Sequence, residues 1–201
     1  MSPLPIEFWF EFASTYSYPA AMRIQDLAAQ AGATVQWRAF LLGPIFSQQG
    51  WNDSPFNIYP TKGRYMWRDL ERVCARLRIP FRKPTVFPRN GLIAARITCQ
   101  FAEADWIGAF VRAVYTANFA EDQDISDVAV LESILERLGQ RGPAIIECAQ
   151  SSESKARLRE QTEQAVRLGI FGAPSVRVGD ELFWGNDRLD DALEWYKRGV
   201  V

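Results

Sequence analysis

Apolar and polar residues alternate over residues 6–12, with Ile6, Phe8, Phe10 and Phe12 on one side of an extended chain and Glu7, Trp9 and Glu11 on the other. This predicts an opening strand, followed by a strand-to-helix turn through Ala13-Ser14-Thr15-Tyr16-Ser17. One helix is expected to run to about Ala31, with Met22, Leu27 and Ala31 among its apolar positions and Gly32 closing it. Pro19 is tolerated because it falls in the first turn. Val35, Trp37 and Ala39 alternate again in a second strand that should end near Leu42-Gly43-Pro44, so the first 44 residues read as β-α-β with a parallel pair.

From residue 45 to residue 59 the pattern is lost in a polar stretch containing Gln48-Gln49-Gly50-Trp51-Asn52-Asp53-Ser54-Pro55, which predicts a long loop. Helical spacing then takes over. Met66, Leu70, Val73 and Leu77 mark a helix over 62–77; further helices are predicted over 91–102, 106–119 and about 125–138, the last with a stripe of Leu131, Ile134, Leu135 and Leu138. A break over 139–143 precedes a short helix over 144–148 and a longer one from about 151 to 168. Gly169 suits the left-handed residue that ends a helix. Val176 and Val178 then alternate in a strand, Gly179-Asp180 turns the chain, 181–184 returns as a hairpin partner, and a last helix turns Leu189, Ala192, Leu193 and Tyr196 inward.

The order β-α-β, about 100 helical residues, then α-β-β-α defines an α/β chain. It reads as a thioredoxin-like domain, residues 1–50 plus 151–201, split by an all-helical insertion over 51–150. Pro174 opens the third strand, a position that tolerates a missing N–H. General frequencies favour a trans bond there, while a cis bond would turn the backbone of Ala173 outward as an edge for an extended peptide.

Composition narrows the chemistry. With 201 residues, 48% of them hydrophobic, the chain can bury a core without staples. A formal net charge of −1 and the lack of any like-charge run argue against nucleic-acid or membrane-surface binding, and no stretch reaches the length of a membrane span. Cys74, Cys99 and Cys148 are scattered and odd in number, which points to buried thiols in a reducing, cytoplasmic setting. There are no histidines, so Ser-His and Cys-His pairs and every histidine metal site are excluded, and no metal is expected. Reactivity must come from a hydroxyl, a carboxylate, a lysine or arginine, or a borrowed cofactor.

Several residues carry two readings each. Ser14 is either a helix cap or a hydroxyl donor to a thiolate held at the helix start. Asn186 or Asp187 caps the last helix, or else Asp187 receives the ammonium and backbone N–H groups at the helix start the carboxylate of an amino acid. Lys62 and Asn52 are a surface charge and a turn residue, or pocket groups. Arg89 and Asn90 have the same standing, and Trp184 is core or pocket wall.

Four segments together resemble the 2-hydroxychromene-2-carboxylate isomerase family, related to kappa-class glutathione transferases. They are Phe10-Glu11-Phe12-Ala13-Ser14-Thr15-Tyr16-Ser17-Tyr18, Tyr59-Pro60-Thr61-Lys62-Gly63-Arg64-Tyr65, Phe171-Gly172-Ala173-Pro174-Ser175, and Leu182-Phe183-Trp184-Gly185-Asn186-Asp187-Arg188-Leu189. The resemblance implies a glutathione-dependent isomerase acting on a small aromatic, conjugated keto acid by reversible thiol addition, in a homodimer. It implies Ser14 as the catalytic serine and Ala173, before a cis Pro174, pairing with the cysteinyl part of glutathione. Trp184, Gly185, Asn186, Asp187 and Arg188 would hold the γ-glutamyl end, with Asn52, Lys62 and Asn90 near the glycyl end or the substrate. Many relatives carry proline after the serine where this chain has Thr15, and the 48–56 loop differs in length from kappa transferases. Kappa-type transferase or peroxidase activity, and non-catalytic binding of glutathione or a peptide, are the alternatives. Dithiol oxidoreduction is disfavoured because Ser14 and Ser17 stand where it needs cysteines.

Overall fold

The computed structural model describes residues 5–199, so the outermost residues of the expected thioredoxin-like segments, 1–4 and 200–201, lie outside it. The first half comprises β1 (Ile6–Phe10), α1 (Ser17–Ala21), α2 (Ile24–Gln30), β2 (Val35–Ala39), α3 (Leu42–Gln48), α4 (Pro55–Ile58) and α5 (Pro60–Leu77). The second comprises α6 (Leu92–Gln100), α7 (Ile107–Phe119), α8 (Val128–Arg137), α9 (Gly142–Gln150), α10 (Ser152–Arg167), β3 (Ser175–Val178), β4 (Glu181–Trp184), a 3₁₀ turn (Asn186–Arg188) and α11 (Leu189–Lys197). The sheet order is β2-β1-β3-β4. β1 and β2 run parallel with Phe8 opposite Trp37, while β3 runs antiparallel to β1, with Phe8 opposite Val176, and to β4, with Ser175 opposite Trp184.

Alternation along β1 has the predicted outcome on one face. Ile6, Phe8, Phe10 and Phe12 are buried in the main core, where Phe10 and Phe12 each meet Tyr115 of α7 at 6.0 and 5.3 Å between ring centroids. Each such aromatic contributes about 1.5–3 kcal/mol by leaving water. The helical segment therefore shares a core with the sheet: one cluster runs continuously from Phe8 and Trp37 to Leu131 and Leu135. On the other face Trp9 is not exposed, as simple alternation would have it. It packs with Phe40, Ile45, Ala165 and Ile170 because α10 covers that side too. A strand buried on both faces loses the polar half of its alternation.

Three boundaries differ from the sequence pattern. The helix expected to reach Ala31 is broken at Met22–Arg23, where the Arg23 N–H donates to Ala20 O (3.1 Å), three residues back, instead of four. The two pieces meet different surroundings: α1 is buried at every residue, whereas α2 buries only Ile24 and Ala28. The second strand stops at Ala39, and Leu42 begins α3 instead of a loop. The expected 45–59 loop also contains α4, started by Ser54 Oγ accepting from the Phe56 N–H (3.3 Å) with Pro55 in the first turn. Phe46 and Trp51 pack edge to face across the remaining connection at 5.7 Å. These polar caps and aromatic contacts order a stretch whose composition reads as irregular.

Candidate active site

The turn after β1 is closed by the Ser14 N–H donating to Glu11 O (2.9 Å), while the Ala13 N–H donates to the Glu11 carboxylate (3.1 Å). Ser14 Oγ donates to Ala173 O (3.0 Å) and accepts from the Ser17 N–H (3.4 Å). The hydroxyl thus accepts the first N–H of α1, as the cap reading expects, and directs its hydrogen at the main chain before β3. Because α1 has only five residues, its dipole is a small part of the site's field, which comes from the hydroxyl and the local N–H groups.

The Ala173–Pro174 peptide is cis, against what general X-Pro frequencies favour, as is Phe87–Pro88. Around Pro174, Ser175 Oγ donates to Gly172 O (2.8 Å) and the Gly185 N–H donates to Pro174 O (2.9 Å), tying this loop to the start of the 3₁₀ turn. Gly172 has to be glycine, since a Cβ there would run into the Trp184 indole. Trp184 is 53% exposed and stacks on Phe171 at 4.9 Å, so it belongs to the wall and lip of the site, not the core.

Ser14 and Ala173 open into a cavity of about 880 Å³ that also includes Trp184, Asn52, Lys62 and Asn90 in its lining. Most of the remaining wall is apolar: Leu42, Phe46, Trp51, Phe56, Met66 and Phe87. Lys62 Nζ lies 5.8 Å from the Phe56 ring centroid and has no ion pair among the described residues. Asn90 Oδ1 accepts the Leu92 N–H (2.9 Å) at the start of α6. Arg89 also belongs to the lining, but it is 6% exposed and its guanidinium is committed to Asn118, Thr85 and Asp122.

The Gly185–Arg188 segment follows Trp184 in the chain and does not line the cavity. Neither Asn186 nor Asp187 caps α11 through its side chain. Asn186 is buried with Oδ1 unpartnered, while the Asp187 side chain is 77% exposed and that of Arg188 is held by Asp191 at 3.0 Å. Burial and the Asp69 carboxylate raise the Tyr16 phenol above its ordinary range, with a smaller contribution from Asp187. Tyr16 donates to Asp69 Oδ2 (2.8 Å) and lines the cavity.

The structure adds one titratable group that the sequence reading passed over as strand alternation. Glu11 lines the same cavity as Ser14. Burial pushes its carboxyl up to about 7, against the N–H groups of Ala13 and Ser14, which favour ionisation. An acid inside the apolar run Phe10-Glu11-Phe12 was the available signal. No cysteine lines the cavity; burial pushes the Cys74 and Cys99 thiols up to about 12, so neither is a thiolate.

Sheet order, the cis-proline loop and the residue facing it together define a protein of the thioredoxin class. The DsbA-like thioredoxin domain matches residues 5–197, and the chain belongs to that family, in the group of the 2-hydroxychromene-2-carboxylate isomerases. It is 33% identical over 187 residues to 2-hydroxychromene-2-carboxylate isomerase of Sphingobium xenophagum, covering 92% of this chain and 94% of the relative. It is 26% identical to glutathione S-transferase kappa 1 of Caenorhabditis elegans, covering 94% and 90%. A solved structure of a 2-hydroxychromene-2-carboxylate isomerase superposes with a TM-score of 0.85 at 27% identity, covering 97% of this chain and 95% of the other.

Proposed function

We propose that the protein is a glutathione-dependent isomerase of an aromatic conjugated keto acid of the 2-hydroxychromene-2-carboxylate type. The observation that carries this reading is Ser14 Oγ placed 3.0 Å from Ala173 O, beside the cis Pro174, at one end of an apolar cavity that holds an unpaired lysine and no thiol of its own.

The residues present suit glutathione. Ala173 offers main-chain groups to the cysteinyl unit, and the segment from Trp184 to Arg188 takes the polar γ-glutamyl end, a role supported by the buried, unpartnered Asn186 Oδ1. When bound, glutathione supplies a nucleophilic thiol for reversible addition to the conjugated chain, which lets a double bond become rotatable. Ser14 donates its hydroxyl hydrogen to the sulfur and favours the thiolate. Lys62 pairs with the substrate carboxylate, Asn52 and Asn90 offer amides beside it, and Phe46, Trp51, Phe56 and Phe87 enclose the aromatic ring and exclude water.

The test is interconversion of such a keto acid by the purified protein with and without glutathione. Turnover should require glutathione, and full activity without it overturns the reading. Kappa-type transfer is the second reading, favoured by likeness to the Caenorhabditis elegans transferase along 94% of the chain; conjugation of an aryl halide faster than isomerisation would establish it instead.

A further inference from the structure

The cavity holds one acid that nothing above employs. The turn bond from the Ser14 N–H to Glu11 O places Glu11 and the serine at opposite ends of a single four-residue turn, and both line the cavity. Glu7, four residues earlier, is neutralised by Arg177 at 3.0 Å and Arg38 at 3.7 Å. Glu11 has no such partner among the described residues. The groups that face it are otherwise engaged or further along the cavity. Tyr115 of α7 donates to its main-chain carbonyl (2.9 Å), Arg89 is committed to Asn118 and Asp122, and Tyr16, Asp53, Lys62 and Tyr65 line the same cavity without bonding to it. A carboxylate kept in a largely apolar cavity with only backbone N–H support is poised to take up a proton.

Resting on the proposed function, we infer that Glu11 accepts the thiol proton of glutathione as the sulfur seats beside Ser14 and returns it when the thiol departs. The S–H bond breaks with its electron pair left on sulfur, and an O–H bond forms at a Glu11 carboxylate oxygen; departure reverses both changes. The charge of the site stays constant, moving from a carboxylate oxygen to a sulfur that Ser14 stabilises. The raised carboxyl, about 7, is consistent with this exchange near neutral pH.

Glutathione binding to the whole chain tests it, by calorimetry in buffers of different ionisation enthalpy and by thiolate absorbance, with no substrate present. At a pH of about 8, where Glu11 is ionised, wild type should form thiolate while releasing almost no proton to buffer. Glu11→Gln keeps an acceptor for the Ala13 N–H, so glutathione should still bind. Its thiolate fraction should fall roughly tenfold, or its thiolate should form only with release of about one proton. Glu11→Asp should restore internal transfer, which separates proton exchange from a purely structural role should the glutamine variant fold poorly. Thiolate formation with full proton release in wild type, no thiolate in wild type, or identical behaviour of wild type and Glu11→Gln overturns the inference and leaves the proposed isomerase standing. Absence of any glutathione binding overturns both.

Discussion

Two acids, Glu11 and Asp122, are treated in opposite ways. Asp122 receives the Thr85 N–H (2.8 Å) and an ion pair from the buried Arg89, and these hold its carboxyl down to about 2. Glu11 has two backbone N–H groups and no cation, and burial carries it up to about 7. The first arrangement ties residues 85–89 to the end of α7 and keeps its charge at every physiological pH. The second leaves a group that changes protonation where biochemistry occurs. A buried charge with a full set of partners is architecture, and one with half a set is available for chemistry.

Breaking the Asp122 side should have the largest effect. Asp122→Ala leaves the Arg89 guanidinium buried without its carboxylate, and the melting temperature should fall by several degrees while glutathione affinity stays the same. Because the folded carboxyl is depressed from its usual 3.8 to about 2, its stabilisation is complete above about pH 4 and lost as pH falls through 2. Thermal melts of the variant and wild type should therefore converge toward pH 2, and a constant gap would contradict the ion-pair account.

On the Glu11 side, Ser14→Ala removes the hydroxyl that faces Ala173 and should lower kcat/KM for the glutathione-dependent reaction roughly 100-fold. Steady-state kinetics check this, and the lost cap bond to Ser17 should cost about 1 kcal/mol of stability in parallel denaturant melts.

The stability effect of Glu11→Gln should have the opposite sign to its chemical effect. The unfolded carboxyl ionises near 4.5 and the folded one near 7, so the folded state's advantage is complete below about 4.5 and lost as pH rises through about 7. The glutamine variant should match wild type near pH 4.5 and be more stable by about 1–3 kcal/mol above pH 7. A variant less stable than wild type at high pH would mean that Glu11 is as well partnered as Asp122.

The smallest effect is expected at the lysine of the cavity. Lys62→Gln should raise KM for a carboxylated substrate roughly tenfold, with kcat and glutathione affinity little changed. Equal losses in kcat and kcat/KM would place Lys62 nearer the reacting atoms than the proposed function does.

Much of this was legible in the residue order. Periods of two and of 3.6 are local properties, so the opening strand, the stripes of α5 and α8 and the closing hairpin could be read along the chain. Ser14 and Pro174 stood out because each interrupts a pattern. Trp9 and Glu11 shared a polar phase in the sequence and were not separable there. Only the placement of α10 over Trp9 and of the cavity beside Glu11 distinguishes them.

The order of residues alone determined the sheet-and-helix plan and the lack of histidine, because these follow from pattern and inventory. Assembly in three dimensions decided that Ser14 Oγ meets Ala173, that Arg89 is locked away while Lys62 is free, and that Glu11 holds its proton to about 7. Outcomes such as the Ser14–Ala173 and Arg89–Asn118 contacts depend on groups meeting across 159 and 29 positions of chain, and on how much water is left around them. Spacing along a sequence records neither.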